Sequence, residues 1–262
     1  MFVASLAMLT ACGNKNAEES NAEEQVQTEN TSEEAVEQTT DAALAKLDLV
    51  IDSIIPEEMK AIYAKGDFVP CKAVFFKDDV KAEKEGEFPA KWNLNNGSAE
   101  VKNFENQKVI FLANSDTEID PKVVGESKNY LPDVFTIEFE YYCNGEEDFN
   151  ATYHLFLGDE GNSNFDEIVL RTEENVSWYV SKTNDDMIEG NANLSNIEKK
   201  NSWNHFAISY NKGGMKLYVN GQRIANLMGL KNPRCFSIRG EGWDDHRYFI
   251  KNIRMATVVP EK

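Results

Sequence analysis

The chain has 262 residues, 41% of them hydrophobic and 11% aromatic, enough apolar material for one large domain or two small ones with a real core. Its formal charge of −18 repels phosphate backbones and anionic lipid surfaces, because binding either depends on Lys and Arg displacing counterions, and this argues against nucleic acid as a partner. Much of the charge is local: residues 13–42 hold nine acidic side chains against the single Lys15.

The first element is the apolar run Met1 to Ala11, too short to span a bilayer and followed at once by Cys12. That length suits the core of a signal peptide. The tetrapeptide Leu9-Thr10-Ala11-Cys12 resembles the lipobox of bacterial lipoproteins, in which the cysteine is acylated and becomes the mature N-terminus. The resemblance implies that residues 1–12 are a signal-peptide remnant with its lipobox and that Cys12 is the lipid attachment site. It further implies a membrane partner through that lipid and a place in the cell envelope as an outer-membrane lipoprotein, periplasmic or surface-exposed. No Lys or Arg precedes the apolar run, where a signal peptide normally starts basic, which predicts a start codon further upstream.

Residues 13–43 are rich in Glu, Asn, Gln, Thr and Ala and cannot bury enough surface to offset the entropy of ordering them. They are predicted to be a disordered acidic stalk with an r.m.s. reach of roughly 30 Å, more where like charges repel. Its Ala17-Glu18-Glu19 cluster loosely resembles the surface-export signals of Bacteroidetes lipoproteins, although a solvated spacer is the simpler reading. In residues 44–65 the side chains Leu44, Leu47, Ile51, Ile54, Ile55, Met59 and Ile62 recur at helical spacing, with Pro56 interrupting. The pattern predicts a short helical linker, as two helices or one kinked helix, with its apolar face packed on the core.

From residue 66 to residue 262 the pattern changes to period two, with turn chemistry every eight to fifteen residues and no amphipathic helix, an all-β signature. The clearest unit follows Trp203-Asn204-His205. Phe206, Ile208 and Tyr210 alternate with smaller or polar residues, Lys212-Gly213-Gly214 turns the chain, and Met215, Leu217 and Val219 face inward on the next strand. Asn220-Gly221 then suits a two-residue hairpin, whose central positions both need φ > 0. The run WNHFAISYNKGGMKLYVNGQRIANL resembles the signature of laminin-G and concanavalin A-like domains, and YFIKNIRMA is similar to the final strand of that fold. The resemblance implies an antiparallel β-sandwich, a jelly roll. Upstream, GDFVPCKAVFFKDDV, GEFPAKWNLNNGSAEV and YLPDVFTIEFEYY resemble the segment that precedes the peptidoglycan-binding domain of Bacteroidetes OmpA-family proteins. No peptidoglycan-binding domain follows in this sequence, so cell-wall tethering is not carried over.

The residues offer little catalytic chemistry. Glycosidases need paired carboxylates flanking the scissile bond. The nearest approach, Glu138-Phe139-Glu140, lacks the distal Glu of the family-sixteen glycosidase pattern Glu-x-Asp-x-x-Glu and reads as a solvated strand face. No Gly-x-Ser-x-Gly elbow exists. The three histidines are scattered: His205 at a strand end, His154 within a strand and His246 in a polar loop, so neither nucleophilic catalysis nor zinc is supported. No catalytic residue and no cofactor are expected, apart from a possible structural calcium held at Asp78-Asp79 or Asp244-Asp245, which also suit solvated turns. With Cys12 acylated, Cys71, Cys143 and Cys235 allow at most one disulfide, and spacing cannot choose it.

A glycan-binding face needs exposed rings with polar groups around them. Strand parity puts Trp178 in the core with Val176 and Val180, and Tyr179 outward with Ser177 and Ser181. Tyr142 shares the outward face with Glu138 and Glu140, Tyr218 with Lys216 and Asn220, and Trp243 sits in the loop from Gly240 to Asp245. Converged, these four rings would form a platform; scattered, they are ordinary surface tyrosines. Anchor, spacer and fold together point to a non-catalytic envelope protein whose sandwich binds a glycan or another surface component. The alternative is a structural or protein-interaction module of the outer membrane related to OmpA-family proteins, with an outer-membrane protein as partner. A glycoside hydrolase comes third.

Overall fold

Alternating apolar and polar residues commit a segment to a strand with one buried face. The computed structural model describes residues 50–51, 66–113, 116–123, 128–144, 151–159, 166–241 and 248–259, and among them are sixteen strands and no helix. Sheet I contains β1 (Val50–Ile51), β2 (Ala73–Asp78), β4 (Ala99–Phe104), β5 (Gln107–Leu112), β7 (Val134–Cys143), β12 (Ser202–Asn211), β13 (Gly214–Val219), β14 (Gln222–Met228) and β16 (Tyr248–Thr257). Sheet II contains β3 (Trp92–Asn96), β6 (Thr117–Pro121), β8 (Thr152–Gly158), β9 (Asp166–Arg171), β10 (Asn175–Ser181), β11 (Met187–Asn193) and β15 (Cys235–Glu241). The strand order is β1-β2-β16-β7-β12-β13-β14 in sheet I, with the β4–β5 hairpin joined to β16, and β11-β10-β9-β8-β15-β6-β3 in sheet II. All named pairings are antiparallel.

The β12–β13–β14 hairpins follow the sequence. Phe206 pairs with Val219 and Tyr210 with Met215, while Asn220 and Gly221 turn the chain at φ +50° and +81°. Trp92, Tyr141, Tyr153, Tyr248, Phe135, Phe139, Phe206, Ile110 and Leu112 are fully buried between the sheets. Cys71, Cys143 and Cys235 form no disulfide with one another, so packing holds the sandwich. A bulge in β16, with Asn252 at φ +52° and a register shift between Lys251 and Arg254, divides that strand. Its first half pairs with β5 and its second with β2.

Of the expected helical linker only Val50 and Ile51 are described, and they are extended: Val50 pairs with Val74 and Ile51 with Ala73. Two β-branched residues beside the open edge of β2 gain strand hydrogen bonds that a helix would not give them.

The outward face of sheet I differs from its expected role. Residues 66–72 run across the strands and cover it. Phe68 packs on Tyr218 with ring centroids 5.1 Å apart and on His205 at 5.9 Å. Cys71 donates its backbone N–H to Thr136 Oγ1 at 3.1 Å and accepts from Arg254 Nη2 at 2.7 Å. Tyr218 is therefore buried, at 2% exposure. Tyr142 is buried too, at 7%, wedged among Phe104, Trp203 and Phe249 and donating its hydroxyl to Glu105 at 3.2 Å. Both rings point away from the core as parity requires, but the layer above removes them from solvent.

Glu138 and Glu140 are not a solvated face either. Glu138 is 1% exposed; its Oε1 accepts from Arg254 Nη1 at 2.9 Å and its Oε2 lies 3.1 Å from His205 Nε2. Glu140 pairs with Lys251 Nζ at 3.2 Å and accepts from Asn252 Nδ2 at 2.8 Å. The Lys251 ammonium also lies 4.1 Å from the centre of the Trp203 ring. Buried charges persist only when paired and hydrogen-bonded, and these are.

Candidate functional site

The outward face of sheet II is open at its β10–β11 end, where Tyr179 is exposed, whereas His154, Val169 and Ser237 nearer its middle are buried. Tyr153, Leu155 and Leu157 of β8, Ile168 and Leu170 of β9, Val176 and Val180 of β10, and Phe236 and Ile238 of β15 point into the core. Their alternate neighbours line the opposite side, and Trp178 packs against the core as its parity demands.

At the centre of this face stands His154. Its Nδ1 lies 2.6 Å from Glu167 Oε1, and its Nε2 meets Glu241. Those nitrogens point from opposite edges of the ring, so one metal ion cannot take this histidine and both carboxylates together. The Arg239 guanidinium, whose Nη2 is 3.4 Å from Glu241 Oε2, lies 4.9 Å from the centre of the Phe156 ring, and that ring stacks on His154 at 6.1 Å. Further along, Glu118 Oε1 accepts from Ser237 Oγ at 2.8 Å, and Asp120 Oδ2 accepts from Asn93 Nδ2 at 2.9 Å.

Beside this cluster β10 and β11 form a strip of small polar residues around one ring. Asn175 pairs with Asn193, Ser177 with Asn191, Tyr179 with Glu189 and Ser181 with Met187. Arg171 Nη1 donates to Ser177 Oγ at 3.0 Å. Tyr179 is 47% exposed, the aromatic ring most open to solvent among the described residues. The strip is fixed from beneath: a methyl group at Gly190 would stand 2.6 Å from the Trp178 indole, so glycine lets β11 lie down on that ring. Where β9 begins, burial pushes the Asp166 carboxyl up, and the hydrogen bond it accepts from Ser181 N at 2.8 Å partly offsets this.

The expected four-ring platform does not form from the rings described. Tyr142 and Tyr218 lie on sheet I and Tyr179 on sheet II, so their outward directions are opposed. Trp243 lies outside the described residues, as do Cys12, Asp244, Asp245 and His246. Asp78, a calcium candidate, has both oxygens engaged: Oδ2 accepts from Trp92 Nε1 at 2.8 Å and Oδ1 from Val80 N at 3.2 Å. A carboxylate 2% exposed and bound to an indole is a core anchor, not a cation ligand. Its neighbour Asp79 accepts from Lys81 N at 3.2 Å in an exposed turn. Among the described residues no group of three or more His, Cys, Asp or Glu could hold a metal.

Arg239, Phe156, Glu167, Glu189 and Asn191 were missed. The parity that sorts Tyr179 sorts them as well, but their convergence depends on the order β11-β10-β9-β8-β15, which no local pattern reveals.

A family model described as the concanavalin A-like lectin/glucanases superfamily matches residues 118–246. Among solved structures, the binding domain of botulinum neurotoxin serotype D superposes with a TM-score of 0.51 at 14% identity, covering 72% of this chain and 48% of that one. A carbohydrate-binding module, CBM66 from Bacillus subtilis, gives 0.45 at 14% identity, covering 64% and 96%. Domain 4 of AbnA, an extracellular arabinanase from Geobacillus stearothermophilus in complex with arabinotriose, gives 0.46 at 14% identity, covering 71% and 94%. No curated protein matches the sequence. Topology and family model agree on an antiparallel β-sandwich of the concanavalin A-like, jelly-roll class.

Proposed function

We propose that this concanavalin A-like sandwich is a non-catalytic glycan-binding module, held in the cell envelope by a lipid on Cys12. The observation that carries the binding reading is the contrast between the covered outward side of sheet I and the exposed β10–β11 end of sheet II. Sheet I hides its outward rings and charges beneath residues 66–72 and the Phe104–Trp203–Phe249 cluster. Sheet II leaves Tyr179 open among Ser177, Asn191, Asn193, Glu167 and Glu189. An exposed ring gives the apolar face of a pyranose a stacking surface, and fixed amide, hydroxyl and carboxylate groups orient its hydroxyls. The matching family model is described by lectins and glucanases alike, and so supports sugar recognition but not the choice between binding and catalysis. Against catalysis, the pair Glu138 and Glu140 is locked in ion pairs with Arg254 and Lys251.

Screening the full chain, with Cys12→Ser to keep it soluble, on a glycan array with calcium and with chelator tests this. Binding is expected, and Tyr179→Ala should weaken it about tenfold or more, the loss of one ring contact worth roughly 1–2 kcal/mol. Silence in both conditions, with a single envelope protein dominating cross-links, would move the reading to the OmpA-related interaction module. The anchor is tested separately. Labelled palmitate should enter the wild-type chain in cells and not the Cys12→Ser variant; equal labelling would remove the lipoprotein proposal.

A further inference from the structure

Two carboxyl groups meet at the end of the sandwich where β9 turns into β10. The turn carries Glu173, at φ +67°, whose side chain is 6% exposed. Its carboxylate pairs with Lys200 Nζ and accepts from Cys143 Sγ at 3.6 Å. Glu198 comes from residues 194–201, between β11 and β12, and its Oε2 accepts the Glu173 backbone N–H. Its other oxygen, Oε1, is sealed from solvent, as is the Tyr141 hydroxyl that faces the carboxyl from β7, and neither atom has a well-aligned hydrogen bond. Residues 194–201 are fastened on two sides: Leu194 N donates to the Glu174 carbonyl at 3.0 Å, and Asn220 Nδ2 to the Ile197 carbonyl at 2.9 Å.

The charges at this end do not balance. The ammonium that reaches it, Lys200, forms its ion pair with Glu173, and among the described residues Glu198 has no ion pair of its own. Two like charges in a buried place hold each other's protons, and an unpaired buried carboxylate is costly. The titratable groups around Glu198 are Tyr141 and Cys143 on β7, Tyr153 on β8 with Tyr248 of β16 beside it, Glu173 on the turn, and Lys200. Burial pushes the Glu198 carboxyl up; contact with Tyr141 and the Glu173 N–H pulls it back, the Glu173 charge adds to the rise and Lys200 opposes it. Burial also holds Tyr141 and Tyr153 as neutral hydroxyls.

We propose that Glu198 is a pH-sensitive latch: as the neutral acid it holds residues 194–201 to β7 and to the β9–β10 turn, and its ionisation loosens both. The latch acts on the rim of the open strip, because Asn175 pairs with Asn193 directly beside the fastened residues Glu174 and Leu194. It is independent of what that strip binds. The folded chain holds the Glu198 proton more tightly than the unfolded chain does. The stabilisation is therefore complete below the ordinary carboxylate range and is lost as pH rises from that range through the raised folded value.

Thermal unfolding of the full chain carrying Cys12→Ser, with and without Glu198→Gln, at about pH 4 and about pH 8 tests it. Glutamine keeps an N–H for Tyr141 and a carbonyl for the Glu173 N–H but cannot ionise. The Gln variant is expected to match its parent at the acid end and to melt a few degrees higher at the alkaline end. In the parent, the Glu198 carboxyl carbon, assigned by its absence from the variant's NMR spectrum, should titrate above the exposed glutamates, and protection of the Glu173 amide from hydrogen exchange should fall over the same range. A Tm difference that is the same at both pH values reports packing alone and overturns the latch. So does a variant that melts lower than its parent at the alkaline end, or a Glu198 midpoint among or below those of the exposed glutamates. Titration above that range with Glu173 protection unchanged overturns it too, leaving a buried acid that moves nothing. If the variant does not fold, the spectrum of the parent decides, with Glu198 assigned through its backbone.

Discussion

Arg254→Met is expected to lower stability by about 3–5 kcal/mol, the cost of leaving one buried charge without its partner. For a domain of this size that moves the Tm down by roughly 10 °C. The expectation follows from geometry on the covered side of sheet I. Arg254 Nη1 donates to Glu138 Oε1 at 2.9 Å, and Nη2 donates to the carbonyl of Cys71 at 2.7 Å. Loss of the guanidinium leaves a carboxylate 1% exposed with His205 Nε2, 3.1 Å away, in place of a full cation, and loosens residues 66–72, which hold Phe68 over Tyr218. The double variant Glu138→Gln/Arg254→Met should be milder than the sum of the two singles, because it removes both charges at once. Urea unfolding at pH 7 measures all three. A single-variant cost under about 1 kcal/mol, the range of a surface pair, would show that solvent reaches this network.

Trp92→Ala is expected to cost about 3–5 kcal/mol through the cavity alone. Roughly 1–3 kcal/mol more comes from the buried Asp78 carboxylate that loses its indole donor. Trp92 stands edge-on to Phe76 at 5.3 Å and is fully buried, joining β3 of sheet II to β2 of sheet I. Trp92→Phe separates the two contributions: it keeps most of the ring and discards the N–H, so it should cost about 1–3 kcal/mol. If the two variants proved equally destabilised, the hydrogen bond to Asp78 would carry the effect and the packing argument would fail.

These two positions also show where sequence reading stops. The Asn220-Gly221 hairpin was legible because a two-residue turn needs φ > 0 at both positions and few dipeptides supply it. The opposite fates of Trp178 and Tyr179 were legible because parity along one strand is local. Parity says which side of a sheet a residue faces but not what lies on that side, and so Tyr142 and Tyr218 read as exposed. Pairings such as Glu138 with Arg254, 116 residues apart, leave no trace in local spacing. Asp78 and Asp79 look alike in the chain, yet one anchors an indole in the core and the other closes a turn, a difference set by Trp92 fourteen residues on. The candidate face had one legible member, Tyr179; the rest converge through strand order.

The divided strand β16 has a consequence for how the protein is made. It pairs with β2, β5 and β7, all of which leave the ribosome well before residues 248–257 do. Until then three strands that meet at the middle of the finished sheet each show an unsatisfied edge, the kind of surface that recruits strands from other chains. Early hairpins such as β12–β13 can form locally, but closure of sheet I waits on contacts of long sequence separation, and such contacts are slow. Closure of sheet I therefore waits for β16, and the interval between synthesis of β2 and that closure is when the chain most needs a chaperone.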